Sequence, residues 1–251
     1  MPAVSASHGR GGPGGIVGRV ALFFGLLSPA LAIGGAFAAS AATVEPLVGF
    51  LVFALSIPVA GLAILVSLIA LVRARGDRNP PARRKGLAAI TLSVLVLAAL
   101  SGLVLPAADY PRINDISTDL EDPPAFVTAL TFGPNAGKDM SYPVAFVSEQ
   151  RRGYPTLGPV NLRLTPEDAF ERARSALASL PSTTITDTDP EAGRIEAICV
   201  SRVFHFVDDV VVRVRSTDDG SRVDVRSKSR DGQGDLGVNA NRIEHLFAIL
   251  H

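Results

Sequence analysis

Three long runs of apolar residues dominate the N-terminal part of the chain. They cover Val20 to Val44, Leu47 to Val72 and Leu87 to Leu105, and none of them contains an ionisable side chain. A helix needs about 20 apolar residues to cross a hydrocarbon core roughly 30 Å thick, and a single segment in lipid satisfies its backbone groups only as a helix. The pattern predicts a three-helix membrane anchor within residues 16–108, after a Gly- and Pro-rich, disordered N-terminus over residues 1–15.

Basic residues between the second and third runs predict the orientation of this anchor. That loop carries six Lys or Arg and one acid, Asp77, whereas the loop Ser40 to Pro46 carries only Glu45. Because Lys and Arg are retained on the cytoplasmic side, the N-terminus is predicted to be cytoplasmic. The C-terminal part of this multi-pass inner-membrane protein is then extracytoplasmic, in the periplasm. The basic residues are Arg73, Arg75, Arg78, Arg83, Arg84 and Lys85.

The first run also allows a second interpretation, as a cleaved signal peptide. Ala36-Phe37-Ala38 has the small residues of a cleavage site, although the apolar run exceeds the roughly 7–15 residues of a signal peptide's apolar h-region. Cleavage would leave the C-terminal part outside, because the basic loop alone orients it. Proton and ion pathways need ionisable residues within the membrane, and these runs have none. They are therefore predicted to be an anchor, in which Gly34, Gly35, Gly61 and Gly102 allow close packing.

Residues 109–251 are predicted to form one exported α+β domain. Thr165 is a candidate N-cap, and apolar residues recur every three or four positions from Phe170 to Leu180, where Pro181 ends the helix. A last helix is predicted over Val238 to Leu250. Between them lie four strand candidates joined as two hairpins: Thr183–Thr188, Arg194–Val200, Val210–Arg215 and Arg222–Ser227.

A two-layer fold satisfies these patterns. Val210, Val212 and Val214 occupy every second position, as do Val223 and Val225, so one face of the sheet is apolar. The sequence predicts a four-stranded antiparallel sheet with both helices packed on that face. The preceding segment, Asp109 to Pro159, is proline-rich and weakly periodic, and its run Ile113 to Phe126 is predicted to be extended.

Three ordered motifs in this region resemble a known family. They are Ile113-Asn-Asp-Ile-Ser-Thr-Asp119 with Pro123-Pro124, the segment Phe206 to Val214, and Val223 to Arg230 followed by Asp235-Leu-Gly-Val-Asn239. Together they resemble the domain of unknown function 1499 family of bacteria and plastids, over about Asp109 to Leu250. The resemblance supports the domain boundary and implies no particular activity.

The sign of the net charge changes at the same boundary. Sixteen of the 24 Lys and Arg residues and 22 of the 24 acids follow residue 108, so the exported domain has a net charge of about −6. Nucleic acid is therefore excluded as a partner, because binding phosphates requires an excess of basic residues. The single cysteine, Cys199, cannot form an internal disulfide, and its place in an alternating strand predicts a buried structural thiol.

The candidate binding residues are basic side chains on the second hairpin. Arg213, Arg215, Arg226, Lys228 and Arg230 alternate with other residues, beside Arg222, Asn239 and Arg242, and such a stripe could hold a carboxylate, phosphate or sugar acid. If it binds an anion, these side chains should stand on one exposed face. The alternative is an ordinary solvated sheet face.

Evidence for catalysis is weaker. His205 with Asp208 or Asp209 could perform hydrolase-type acid–base chemistry, and Ser201 or Cys199 could act as a nucleophile, but catalytic partners are defined by spatial geometry. The four histidines have no metal-ligand spacing, so no metal site, cofactor or catalytic residue is predicted. The sequence favours a non-enzymatic binding or assembly module whose partner is another envelope protein or an anionic envelope component. A hydrolase is the alternative.

Overall fold

The three apolar runs fold as three long helices. In the computed structural model, which describes residues 13–77, 80–104 and 109–251, these are α1 (Pro13–Ser40), α2 (Pro46–Asp77) and α3 (Pro80–Val104). Each is long and apolar enough to cross a membrane, as predicted. α2 begins at Pro46, and proline is tolerated in the first helical turn because its missing N–H has no partner there.

Two predictions about this part of the chain fall partly on residues that the structure does not describe. The predicted disordered segment, residues 1–15, overlaps the described chain only where α1 begins at Pro13. Residues 1–12 lie outside the described part. In the basic loop, Arg78 and Asn79 also lie outside it, while Arg73 belongs to α2, and Arg83, Arg84 and Lys85 belong to α3. Both predictions remain predictions.

Small residues form the interior of the three-helix unit, and large apolar residues form its surface. A Cβ added to Gly18 or Gly25 would lie 3.0 Å and 2.6 Å from the Cα atoms of Ala82 and Ala89, and Gly35 approaches the backbone of α2 as closely. The exposed large residues include Phe23, Ile33, Phe37, Leu51, Leu65 and Leu95. Close approach through small residues is typical of helix packing in membranes.

Of the four glycines predicted to mediate this packing, one does so. Gly35 does so, but a Cβ on Gly34, Gly61 or Gly102 would have no other atom within 4 Å. The buried positions of α1 are three, four or seven residues apart: Gly18, Ala21, Gly25, Ser28, Gly35 and Ala39. That spacing was the signal in the sequence. Because Gly and Ala are scarcely less apolar than their neighbours in this helix, a hydrophobicity pattern does not reveal it.

The chain divides into two compact units, Met1–Leu105 and Pro106–His251, and the second is an α+β domain. Its sheet has six antiparallel strands, not the four predicted, in the order β1-β6-β5-β4-β3, with β2 also paired to β6. The strands are β1 (Asp115–Ser117), β2 (Val160–Leu162), β3 (Thr183–Asp189), β4 (Arg194–Val200), β5 (Val207–Thr217) and β6 (Gly220–Ser229). The helices are α4 (Phe146–Gly153), α5 (Pro166–Ser179) and α6 (Val238–Leu250), with short 3-10 helices at Thr128–Thr131 and Gly133–Asn135.

The four predicted strands and the two long helices are present, and both helices pack on one face of the sheet. The Thr165 hydroxyl accepts a hydrogen bond from the Asp168 N–H, as the predicted N-cap requires. The core between the layers contains Phe170 and Leu177 of α5, Ile243 and Leu246 of α6, and the predicted valines Val210, Val212, Val214, Val223 and Val225. The extra strand β1 lies in the run that was predicted to be extended, and β2 begins directly after the proline-rich segment.

Candidate functional site

The basic residues of the second hairpin lie on the sheet face opposite α5 and α6. Cross-strand partners in an antiparallel pair point to the same face, and Arg213 stands opposite Asp224, Arg215 opposite Arg222, and Val211 opposite Arg226. The structure therefore places Arg213, Arg215, Arg226 and Lys228 on one face, called here the arginine face. Arg230, just after β6, also reaches it, because its guanidinium pairs with Asp209.

Three arginines of this face form a network with three aspartates. Arg215 and Arg222 contact Asp119 Oδ2 at 3.0 and 2.8 Å. Arg213 contacts Asp122 Oδ2 at 3.0 Å, and all three arginines contact the fully buried Asp224. Burial alone would raise the pKa of Asp119, but N–H groups of Asp122 and Glu121 and the charge of Arg222 lower it overall. Positive and negative charges are equal in number in this network.

Arg226 and Lys228 share one buried aspartate. Arg226 donates two hydrogen bonds to the Asp115 carboxylate, at 2.9 and 2.7 Å, and Lys228 Nζ lies 3.0 Å from Asp115 Oδ2. The side chain of Arg226 is 2% exposed and that of Asp115 is 0% exposed. Arg230 is paired separately with Asp209, at 2.6 Å, and Asn135 donates to the same carboxylate. The expectation of one exposed basic face is therefore wrong at Arg226.

The face is buried because residues 119–147, called here the covering segment, lie across it. Phe126, Ala129 and Met140 of this segment pack on Val211 in a second apolar cluster. The Glu196 carboxylate anchors the segment by accepting hydrogen bonds from the backbone N–H groups of residues 127, 128 and 129, at 2.7, 3.0 and 2.8 Å. Three N–H groups converging on one carboxylate are a strong, charge-assisted contact.

A cleft opens within the covering segment. Its empty volume, including its open mouth, is about 1010 Å³. Phe126 and Met140 form its apolar floor beside Arg226, and Leu130, Val144 and Val147 line its walls. Val144 is 86% exposed, and Leu130 is about half exposed. Exposed large apolar side chains beside a concave surface are typical of a binding site.

Arg226 forms part of the cleft surface and is fixed from both sides. Its guanidinium carbon lies 4.8 Å from the centre of the Phe126 ring and 5.6 Å from that of Tyr142. It also donates to the backbone carbonyls of Met140, at 2.7 Å, and of Pro124, at 3.3 Å. Burial raises the pKa of Tyr142, so this hydroxyl is neutral and donates to Gln150 Oε1 at 2.9 Å. The floor is therefore rigid and preorganised.

The two candidate acids, Asp208 and Asp209, do not share a site. Asp208 and Asp209 are adjacent on β5 and point to opposite faces: Asp208 pairs with Arg242 of α6 at 2.6 Å, and Asp209 pairs with Arg230. Ser201 Oγ accepts a hydrogen bond from the Phe206 N–H. Arg242 and Asn239 bond the Ser227 hydroxyl on the helix side and so do not extend the arginine face. Within the described residues, no group of three His, Cys, Asp or Glu side chains could hold a metal ion.

The cysteine lies where the alternation predicted, on the face toward the helices. Cys199 is buried in the main core, and its sulfur lies 3.1 Å from the Thr183 hydroxyl. Burial raises the pKa of the thiol. A buried thiol of raised pKa is a poor nucleophile.

The cleft residues Phe126, Met140, Tyr142 and Val144 were not identified from the sequence. They lie in a proline-rich segment without strand or helix periodicity, so no pattern marks their common surface. One signal was present: Asp115, Asp119, Glu121 and Asp122 form an acidic group in a segment with few basic residues. Four acids so close in sequence are expected to form ion pairs with the basic residues of the hairpin.

The comparison with known families covers this whole site. A family model described as "Protein of unknown function (DUF1499)" matches residues 115–250. That range begins at Asp115 and includes the ion pairs, the covering segment and the cleft. No curated protein and no solved structure was found to match the chain. The family match spans more than half of the chain and confirms the resemblance seen in the three motifs, and the protein therefore belongs to the DUF1499 family.

Proposed function

We propose that the protein is a membrane-anchored envelope protein whose C-terminal domain binds another envelope protein, on the extracytoplasmic side of the inner membrane. The three apolar helices support the anchoring, and the basic residues around the second connection support the orientation. The cleft on the arginine face carries the proposal of binding, because it combines exposed apolar walls with a rigid floor.

A protein partner is favoured over an anionic envelope component by the ion pairing of the arginine face. Arg213, Arg215 and Arg222 form ion pairs with an equal number of aspartates, and Arg230 forms a separate ion pair with Asp209. An anionic ligand would have to displace these carboxylates, which already supply charge-assisted hydrogen bonds. An apolar side chain entering the cleft needs no such displacement. Enzymatic activity is not part of the proposal, because Asp208 and Asp209 each pair with an arginine and Cys199 is buried in the core.

Site-specific photo-crosslinking in native membranes tests this function. A photoreactive residue at Val144, on the cleft wall, is expected to give one main protein adduct of defined mass. The matched control is the same residue at Glu244, which is exposed on α6, and it should not give that adduct. Identical adducts from both positions, or none from Val144, would contradict the proposal.

A further inference from the structure

The charges around the cleft indicate which kind of partner segment it accepts. Among the described residues that line the cleft, Arg226 is the one cation, while Glu121 and Asp139 are carboxylates exposed at the rim. Behind the floor lie Lys228 and Asp115. The cleft and its floor together hold two cations and three carboxylates. Both cations are largely buried, whereas the two carboxylates at the rim, Glu121 and Asp139, are exposed to solvent.

The rim carboxylates are available to a ligand. Asp139 accepts a hydrogen bond from the backbone N–H of Ser141 at 2.8 Å, and hydrogen bonding by Ser141 lowers the pKa of this carboxyl. It is therefore ionised at neutral pH. Neither Glu121 nor Asp139 belongs to a salt bridge within 4 Å among the described residues, whereas Arg226 has four hydrogen bonds to protein acceptors. A ligand thus meets negative charge above an apolar floor.

We propose that the cleft binds a peptide segment of the partner protein in which an apolar anchor side chain is flanked by Lys or Arg. The anchor occupies the space above Phe126 and Met140, between the side chains of Leu130 and Val144. The flanking cations reach Glu121 and Asp139 at the rim. The net charge of the domain, about −6, adds a long-range attraction for the same segment. This inference rests on the proposed function and specifies the chemistry of its ligand.

The test uses the full-length chain in lipid nanodiscs and a phage-displayed library of random dodecapeptides. Selected sequences are expected to contain an aromatic or aliphatic residue with Lys or Arg within a few positions. Synthetic versions should bind about tenfold more weakly to the double variant Glu121→Gln/Asp139→Asn at low salt, because two rim charge pairs with the peptide are lost. Raised salt should reduce that difference.

Two further variants distinguish the contribution of the rim charges from that of the apolar contacts. Glu167→Gln/Glu191→Gln removes the same charge at exposed positions outside the cleft, and it should bind the peptides as the parent protein does. Leu130→Ser should weaken binding at every salt concentration, since it removes apolar contact and leaves the charge unchanged. The peptides should also compete with the photo-crosslink from Val144.

Each other outcome counts against the inference. Selection of acidic peptides, equal binding by the parent and the rim variant, or displacement by palmitate but not by cationic peptides would overturn it. If Val144 still gave its protein adduct in native membranes, the proposed function would stand and only this ligand chemistry would fail. If the cationic peptides did not bind and Val144 gave no protein adduct, the proposed function would be contradicted as well.

Discussion

A buried arginine is stable only when its charge is compensated, and Arg226 shows how this chain does so. Asp115 provides a two-bond partner, two backbone carbonyls accept further hydrogen bonds, and two aromatic rings lie against the guanidinium. Removing one member of such a pair is strongly destabilising, because the other charge remains buried without compensation. The pair is therefore a structural centre of the covering segment as well as part of the cleft.

The first prediction concerns Asp115. Asp115→Asn should lower the free energy of unfolding by about 3–5 kcal/mol, since Arg226 and Lys228 lose their shared counter-ion. Asp122→Asn, at a side chain that is 66% exposed, should cost about 0–1 kcal/mol. The urea dependence of Cys199 alkylation in the solubilised protein measures both, because it is the single cysteine of the chain. Equal effects of the two changes would show that burial of the pair does not matter.

The second prediction establishes this readout. Cys199 should resist alkylation in the native protein even at pH 8.5, where a free cysteine is about half ionised. Burial removes access and raises the pKa of the thiol, so the reactive thiolate is scarce. Alkylation should become complete in urea. Rapid modification of the native protein would indicate a reactive thiol, and a catalytic role would then need to be considered again.

At the scale of elements, the sequence predicted those whose hydrogen-bond partners are near in the chain. β4 and α6 occur with the predicted bounds, and β5 and β6 are longer at both ends. The three-residue strands β1 and β2 were missed, because each pairs with a β6 partner more than 50 positions away and is too short to show alternation. The covering segment was missed for the same reason: its shape comes from contacts with Glu196 and the hairpin arginines, not from local propensity.

The third prediction concerns the anchoring of the covering segment. Glu196→Gln should speed hydrogen exchange of the amides of residues 127–129 by roughly 10- to 100-fold, since hydrogen bonds to a charged group contribute about 1.5–3 kcal/mol. Glu191→Gln, in the exposed turn after β3, is the matched control. The measurement is hydrogen–deuterium exchange read by mass spectrometry on peptides from this region. Unchanged exchange in the Glu196 variant would show that apolar contacts alone hold the segment.

The fourth prediction compares two neighbouring glycines of α1. A Cβ on Gly35 would lie 2.5 Å from the Phe53 backbone nitrogen, whereas one on Gly34 would have no such contact within 4 Å. Gly35→Ala should therefore lower the temperature at which the solubilised protein aggregates, consistent with about 1–3 kcal/mol for overpacking. Gly34→Ala should leave it unchanged. A similar temperature for both variants would mean that α1 and α2 are not packed as closely as the structure shows.

At the scale of the whole molecule, charge and apolarity are separated along the chain. The membrane part has a net charge of +6 and the C-terminal domain about −6, which cancel to zero. Large apolar side chains on the outside of the helices favour a lipid environment, and an acidic, folded domain favours water. The basic residues predicted to set the orientation flank the connection between α2 and α3, so the sidedness of the domain is a prediction separate from its fold.

The fifth prediction tests that sidedness with single cysteines. Pro81→Cys, at the start of α3, and Asp219→Cys, in the turn between β5 and β6, replace exposed residues. An impermeant maleimide added to spheroplasts should label Cys at 219 at once and Cys at 81 only after permeabilisation, because the basic connection stays in the cytoplasm. The parent protein, whose Cys199 is buried, is the control for background labelling. Labelling at 81 in intact spheroplasts would place the domain in the cytoplasm. The cleft would then have to meet its partner there, and an envelope role outside the inner membrane would be excluded.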